Sequence, residues 1–484
     1  MHGSNGEPLR AARTGAGLRG RWPRTVVLTA AAALAAIGVA GCQGRASSPA
    51  VAGSVAQAAT SSGAASSPAP SSAALAPLAW SAARAPLPAD ADGASSQYVV
   101  LDDVSCPAAG YCVAVGTDRA STGSGDVYQG LAETLAGGTW TPAAIPDVSS
   151  ANTPPSFSSV SCPARDSCVA VGFVRSSARV GIPFIERLSG GRWHPVAPPR
   201  PGDASPSEVS LLTDISCPAA DWCVATGWYL NTDGHHAAYA DTLSGGTWTA
   251  AGVPLPADAA PEQGTATAVT YLSAVSCTGT GACVASGQYR DTSGGSLPFT
   301  ATLSNGAWTA AAAPLPGNAA ATSQLAGLWA VKCPAAGTCV AGGHYLNHSG
   351  QPRYLIDTLS GGTWTASAAP LPSGAAADQK WSQDLATAVG GLGCASASFC
   401  IATAGYVTTD NEIVPAIETL SGGTWTAAKA PLPADAAPAS GQGNSAYLML
   451  ATCPSPSSCL AVGSYPAEDG TVAGLIETAA PKSS

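Results

Sequence analysis

The sequence predicts an all-β chain folded as a seven-bladed β-propeller, with the N-terminal strand closing the last blade. Three observations carry this. A Cys-x5-Cys unit recurs seven times with a period of 55–61 residues. The pairs are Cys106 and Cys112, Cys162 and Cys168, Cys217 and Cys223, Cys277 and Cys283, Cys333 and Cys339, Cys394 and Cys400, and Cys453 and Cys459. A fixed period of this length means one supersecondary unit stacked on copies of itself. Each copy holds four short strand-like runs, and the last copy is split between the two ends of the chain.

The fifth copy shows the elements in order. Leu328 to Cys333 is the first run, and Pro334-Ala335-Ala336-Gly337 is a turn by composition. Cys339 to Gly343 opens the second run, Tyr354 to Leu359 is the third, and Thr363 to Ala366 begins the fourth. Apolar runs of this length between Gly, Pro and Ser read as strands, and no copy carries a sustained helical stripe. The turn from third to fourth run is Gly-Gly at 137–138, 190–191, 245–246, 361–362 and 422–423, and Asn305-Gly306 in the fourth copy. A two-residue type I′ hairpin needs positive φ at both positions, and these are the pairs that tolerate it.

The chain ends predict ring closure. The seventh copy stops after Gly474 to Thr478 with no Trp run following it. Trp80 to Asp90 matches Trp425 to Asp435 nearly residue for residue, so the missing strand lies at the other end. A closed ring explains the split, because the N-terminal strand completes the last blade and removes exposed edges. A string of separate disulfide-stapled modules is the competing arrangement, but one such unit buries little by itself.

Residues 1–41 read as a lipoprotein signal peptide, 42–77 as a flexible tether and 78–484 as the propeller. Residues 1–24 hold five arginines and one acid, and an apolar stretch follows from Val26 to Ala40. A basic region, a short apolar region and small residues before a cut form an export signal. Val39-Ala40-Gly41-Cys42 resembles a bacterial lipobox, and Cys42 is the cysteine outside the seven pairs, so it is the expected lipidation site. Residues 43–79 are almost entirely Ala, Ser, Pro, Gly and Val, a composition that cannot bury a core. Beyond the cut, 15 basic and 29 acidic residues remain of the 20 and 30 in the whole chain. That acidity argues against nucleic acid as a partner and leaves the membrane to the lipid anchor, on the outer face of the cytoplasmic membrane. Export also makes each Cys pair a disulfide across the hairpin of its own copy. No repeated histidine accompanies the pairs as zinc would need, so no metal and no cofactor are expected.

In a propeller, alternating strands sort the loops onto two faces. The Cys hairpin and the Gly-Gly turn share one face. The second-to-third and fourth-to-first connections share the other, read as long and variable, and binding is expected there and at the channel mouth. Four sets of residues are candidates. Tyr229, Tyr289, Tyr345, Tyr406 and Tyr465 follow the second Cys by six residues, where copies one and two have Asp118 and Val174. They could stack on sugars or pack the blade ends. An acid recurs in the third run (Glu133, Glu186, Asp241, Asp357, Glu418, Glu477, with Ala301 in copy four), where one identical group per blade predicts a structural hydrogen bond to a turn. Asp103 and Asp214 lie three residues before the first Cys of copies one and three, on the innermost strand. His235, His236, His344 and His348 gather on copies three and five, and loop histidines of this kind are ordinarily solvated.

No Gly-x-Ser-x-Gly elbow, P-loop, HExxH or CxxCH is present, so no catalytic residue is assigned. Leu243-Ser244-Gly245-Gly246-Thr247-Trp248 and its copies resemble the tail of the Asp-box turn of sialidase-type propellers. They lack the aspartate, are shorter, and come without an arginine cluster. The repeat as a whole, Ser105-Cys106-Pro107 through Cys112-Val113-Ala114-Val115-Gly116 to Gly138-Thr139-Trp140, resembles exported actinobacterial lipoproteins with Cys-x5-Cys and Gly-x-Trp propeller repeats. That resemblance implies a propeller at the cell surface and carries over no activity. The expectation is a monomeric, non-catalytic binding or scaffold module for an envelope glycan or protein partner. A carbohydrate-active hydrolase or lyase using loop carboxylates is the alternative.

Overall fold

The computed structural model describes residues 78–89, 91, 97–122, 125–150, 154–175, 181–206, 210–261, 270–377, 379, 389–438 and 445–482. The expected signal peptide, Cys42 and the tether lie outside them. The described residues form seven four-stranded antiparallel sheets and no helix. Six blades are continuous in sequence: 99–150, 156–196, 210–252, 271–312, 327–368 and 389–429. The seventh joins 447–481 to the strand Leu78–Arg84. The innermost strands touch in succession and that of blade seven touches that of blade one, so the ring is closed. This is a β-propeller.

In blade five the strands are Gly327–Ala335, Thr338–Leu346, Pro352–Ser360 and Thr363–Ala368. The turn between the last two has Gly361 at φ 57° and Gly362 at 80°, and in blade four Asn305 at 52° and Gly306 at 77°. Both positions are left-handed, as a type I′ turn requires. The glycine four residues after the second Cys, present in every blade but the sixth, has a different cause. A Cβ on Gly343 would lie 1.9 Å from the Gly327 carbonyl oxygen, and one on Gly116 would lie 2.0 Å from that of Val100. Strand one presses on strand two there because a bulge follows immediately, between Leu328 and Ala330 and between Leu101 and Asp103.

All seven expected disulfides form, each within a single blade. Cys106 bonds to Cys112, Cys162 to Cys168, Cys217 to Cys223 and Cys277 to Cys283. Cys333 bonds to Cys339, Cys394 to Cys400 and Cys453 to Cys459. Each bridges the hairpin of strands one and two, with Cα atoms 4.0–4.1 Å apart. Bridges at this density belong to an extracellular or exported protein. The core is divided into one apolar layer per blade interface. Val340, Tyr354 and Ile356 of blade five pack on Val389, Ala402 and Ala416 of blade six. The closing interface is built the same way, with Leu460, Val462 and Ile476 of blade seven against Val104, Cys112 and Leu131 of blade one.

The N-terminal strand runs antiparallel to the last strand of the chain, Trp80 opposite Ala479 and Arg84 opposite Leu475. Arg84 clasps the join. Its Nη1 lies 3.0 Å from Asp435 Oδ2 and 3.8 Å from Asp469 Oδ2. Its Nη2 donates to Thr471 Oγ1 at 3.3 Å and to Gln97 Oε1. One arginine thus ties the closing strand to three separate segments. Deleting 78–84 should lower the melting temperature by about 10 °C or more, and Arg84→Ala, whose carboxylate partners are half exposed, should cost roughly 1 kcal/mol. An unchanged melting temperature for the deletion would contradict closure. Replacing Cys333 and Cys339 together by Ala should cost about 2 kcal/mol for so short a loop, read from denaturant midpoints.

Candidate functional site

The loop face is stitched down more than the sequence suggests. In blades three to seven the second-to-third connection is not long and variable. It is five residues each time: 231–235, 291–295, 347–351, 408–412 and 467–471. The first residue often caps the loop, as where Asn231 Oδ1 accepts from the Asp233 and His235 amides at 3.1 and 2.9 Å. The variation lies in the fourth-to-first connections, which range from 151–155 to 369–388. Those entering blades three to seven each bridge to the short loop of that blade, as Ala259 does to Asp291 and Ala319 to Asn347.

The five tyrosines fasten these connections. All are buried. Tyr229 donates to Asp203 at 2.8 Å, Tyr289 to Asp258 at 3.0 Å, Tyr345 to Asn318 at 2.8 Å and Tyr465 to Asp435 at 2.9 Å. Tyr406 faces a connection that has Gly374 in place of the acceptor. Their rings are blade-end packing, and none presents a face for stacking. The acceptor was legible as the last residue of the recurring Pro-Leu-Pro-x-Asp, but pairing it with a tyrosine some thirty residues on required the fold.

The third-strand acids are also fully buried. The sequence-based expectation of a hydrogen bond to a turn is not met. Neither carboxylate oxygen of Glu133, Asp241, Asp357, Glu418 or Glu477 has a hydrogen-bond partner among the described residues. Register explains why. Each acid stands mid-strand, away from the turns, between small residues on both neighbours: Asp357 between Ala341 and Ala366, Glu418 between Ala402 and Ala427. Burial therefore pushes Asp241, Glu418 and Glu477 up to about 8 and Asp357 to about 7. Burial, helped by the charge of Asp118, lifts Glu133 to about 8.

At the axis the structure brings Asp103 and Asp214 together. Asp103 Oδ2 accepts from Ser159 Oγ at 2.8 Å and the Val160 amide at 2.7 Å, and Oδ1 from the Val104 amide at 2.6 Å. Asp214 accepts from the Ile215 amide at 2.8 Å and the Val275 amide at 2.6 Å. Each carboxylate thus ties its own blade to the next. Burial raises both, Asp103 to about 7, against the lowering charge of Lys332 and these bonds. Lys332 belongs to blade five, which adjoins neither blade one nor blade three, so its charge reaches both acids across the axis.

Asp102, the neighbour of Asp103, is not among the residues the sequence singles out. Asp102 is the extra residue of the blade-one bulge and stays partly exposed to the channel. Burial raises it to about 8, against a bond from the Phe157 amide and with the help of Asp103. Tyr98 lies near both Asp102 and Tyr447, and it packs edge-on against Tyr128 with centroids 5.5 Å apart. The doublet Asp102-Asp103 was the available signal, because a bulge aims consecutive residues at different surroundings.

The histidines do not converge. His236 and His344 are buried against Trp228 and Trp329, with ring centroids 4.8 and 4.9 Å apart. Burial lowers His344 to about 3, keeping it neutral. His348 is exposed. Among the described residues no group of three or more His, Cys, Asp or Glu side chains is placed to hold a metal ion.

No protein-family model and no curated protein matches the chain. It is similar to a solved protein of unknown function from Dyadobacter fermentans, at 10% identity and TM-score 0.41, over 80% of this chain and 96% of that one. It is similar to a polysaccharide lyase of family PL25, an ulvan lyase, at 8% identity and TM-score 0.45, over 78% and 94%. It is similar to Trypanosoma rangeli sialidase solved with sialic acid, at 10% identity and TM-score 0.38, over 84% of this chain but 59% of that one. Likenesses this distant say nothing about the chemistry of this chain.

The buried acids make stability depend on pH in a definite direction. Their folded values of about 7 to 8 stand above the ordinary value near 4. The folded state therefore holds more protons through that window, and stability is full near pH 4 and falls as pH rises to about 8. The melting temperature should drop between pH 5 and pH 8.5. Glu418→Gln should stabilise by roughly 1–3 kcal/mol at pH 8.5 and by little at pH 5. A melting temperature that rises over this range would contradict the assignment.

Proposed function

We propose that the chain is an exported lipoprotein, anchored through Cys42 and a tether over 43–77, whose propeller binds an envelope glycan or a protein partner at its axial channel without catalysis. One observation carries the reading. The equivalent bulge position on the seven innermost strands holds Asp102, Ser158, Thr213, Ser273, Trp329, Gly390 and Met449. The packing positions repeat from blade to blade, as the buried tyrosines, acids and turn glycines do. A side chain chosen for packing has similar surroundings in each blade and mostly keeps its identity, as the tyrosine does in five blades and the acid in six. One chosen for recognition has no reason to. A rigid ring with irregular groups at one point is how a scaffold presents a site.

Asp102 supports the second reading, a hydrolase or lyase. With a pKa of about 8 it keeps its proton at neutral pH, as a general acid must. Asp103 and Asp214 are poorly suited to that role, since their oxygens are engaged by backbone amides.

A thermal-shift screen of the purified chain against envelope glycans tests both readings. A ligand that binds the folded state at a hundred times its Kd stabilises by about 2.7 kcal/mol, a shift of several degrees. Asp102→Asn should weaken such a ligand by about tenfold or less, roughly one hydrogen bond. If the wild type releases product and Asp102→Asn does not, the binding-module reading is wrong.

A further inference from the structure

We propose that the axial channel selects an acidic sugar, recognising its carboxylate or sulfate oxyanion through Lys332 and the serine hydroxyls that precede it in the ring. The proposal rests on the glycan reading above. The residue before the first Cys of each copy is Ser105, Ser161, Ser216, Ser276, Lys332, Gly393 and Thr452. The four serine oxygens accept the amide of the next blade's cysteine: Cys162 at 3.0 Å, Cys217 at 2.9 Å, Cys277 at 3.0 Å and Cys333 at 3.0 Å. A hydroxyl that accepts through its oxygen still has its hydrogen to give. Among the described residues no acceptor takes those four hydrogens.

Lys332 continues the series in blade five and is the one cation on the seven innermost strands. It is partly exposed, and among the described residues it makes no hydrogen bond or ion pair. It stands on the innermost strand of blade five, and its charge is felt at Asp103 of blade one and Asp214 of blade three. Those acids do not satisfy it. Asp103 is held by Val104, Ser159 and Val160, and Asp214 by Ile215 and Val275. On five successive innermost strands, an ammonium and four serine hydroxyl hydrogens are thus left without acceptors among the described residues. An oxyanion takes several such donors at once, and charge assistance roughly doubles the strength of each bond. Tyr98, Tyr447 and Trp329 stand half-buried at or near the start of innermost strands, ahead of the serine and Lys332 positions, where an aromatic face could meet a sugar ring. The chain carries a net charge of −10, so its overall field repels anions and any preference for them must come from these local groups.

The test is calorimetric titration of the purified chain with a uronate-containing oligosaccharide, its uncharged counterpart, free glucuronate and inorganic sulfate, for the wild type, Lys332→Met, Lys332→Arg and Ser276→Ala. Melting curves without ligand verify that each variant is folded. The wild type should bind the uronate oligosaccharide at least tenfold more tightly than the uncharged one. Lys332→Met should erase that preference, Lys332→Arg should keep it, and Ser276→Ala should reduce it a few-fold. Equal affinity for both oligosaccharides, or a preference that survives Lys332→Met, overturns the proposal and leaves the glycan reading standing. If free glucuronate or sulfate binds in a Lys332-dependent way and neither oligosaccharide does, the oxyanion site stands and the glycan reading falls. If nothing binds, both fall. Should Lys332→Met not fold, the Arg and Ser276→Ala variants decide the matter by the same preference.

Discussion

The ring depends on side chains that substitute for a missing ladder. Within a blade the strands are held by backbone hydrogen bonds, but the innermost strands of neighbouring blades meet without one. Ser105, Ser161, Ser216 and Ser276 accept the cysteine amides of the following blade, and Asp103 and Asp214 accept the amides of Val160 and Val275. Buried amides at the bulged strand would otherwise have no partner, a cost of about 1–3 kcal/mol each. The short side chains keep adjacent blades close, and the apolar interface layers and the Arg84 clasp complete the circle. A propeller built this way has a stiff axis, and stiffness there is what a site in the channel requires.

Repetition separates structure from function in this chain. The groups that first look chemical are mostly absorbed by the fold: the tyrosines tie down connections, and the third-strand acids sit protonated between alanines. The second effect also bears on charge, since buried acids that keep their protons add nothing to the surface field. What remains outside the repeat is the line of bulge residues and Lys332. Both lie on the innermost strands, where seven copies of one geometry are filled differently.

The architecture was legible because its signals are local and periodic. Asn305-Gly306 in place of Gly-Gly identifies a turn by its φ requirement alone, and the match of Trp80 to Trp425 identifies the split blade. The disulfides were legible for the same reason, since Cys394 and Cys400, like every other pair, lie on one hairpin. The site was less legible because its determinants are relations between distant segments. Tyr289 and Asp258 each belong to a visible series in the sequence, but they become a pair only when a connection crosses the blade. Asp102 and Asp103 differ in exposure because a bulge separates them, and alternation alone could not say which faces the channel. Lys332 carried no motif, and its meaning comes from its effect on Asp103 of blade one and Asp214 of blade three, neither of which adjoins its own blade. The connection between second and third strands reads as variable for the opposite reason: in blades three to seven its sequence varies while its five-residue length does not.

The central claim is that side chains at the axis couple the blades into one cooperative unit. Native-state hydrogen exchange of the amides of Val160, Cys162, Cys217, Val275, Cys277 and Cys333 measures it directly, since each donates to the preceding blade. The account predicts that these amides exchange only through global unfolding, with the same free energy as the second-strand ladders. Exchange of these amides through local opening, while the second strands stay protected, would mean that the blades are stable separately and that the axial bonds are incidental.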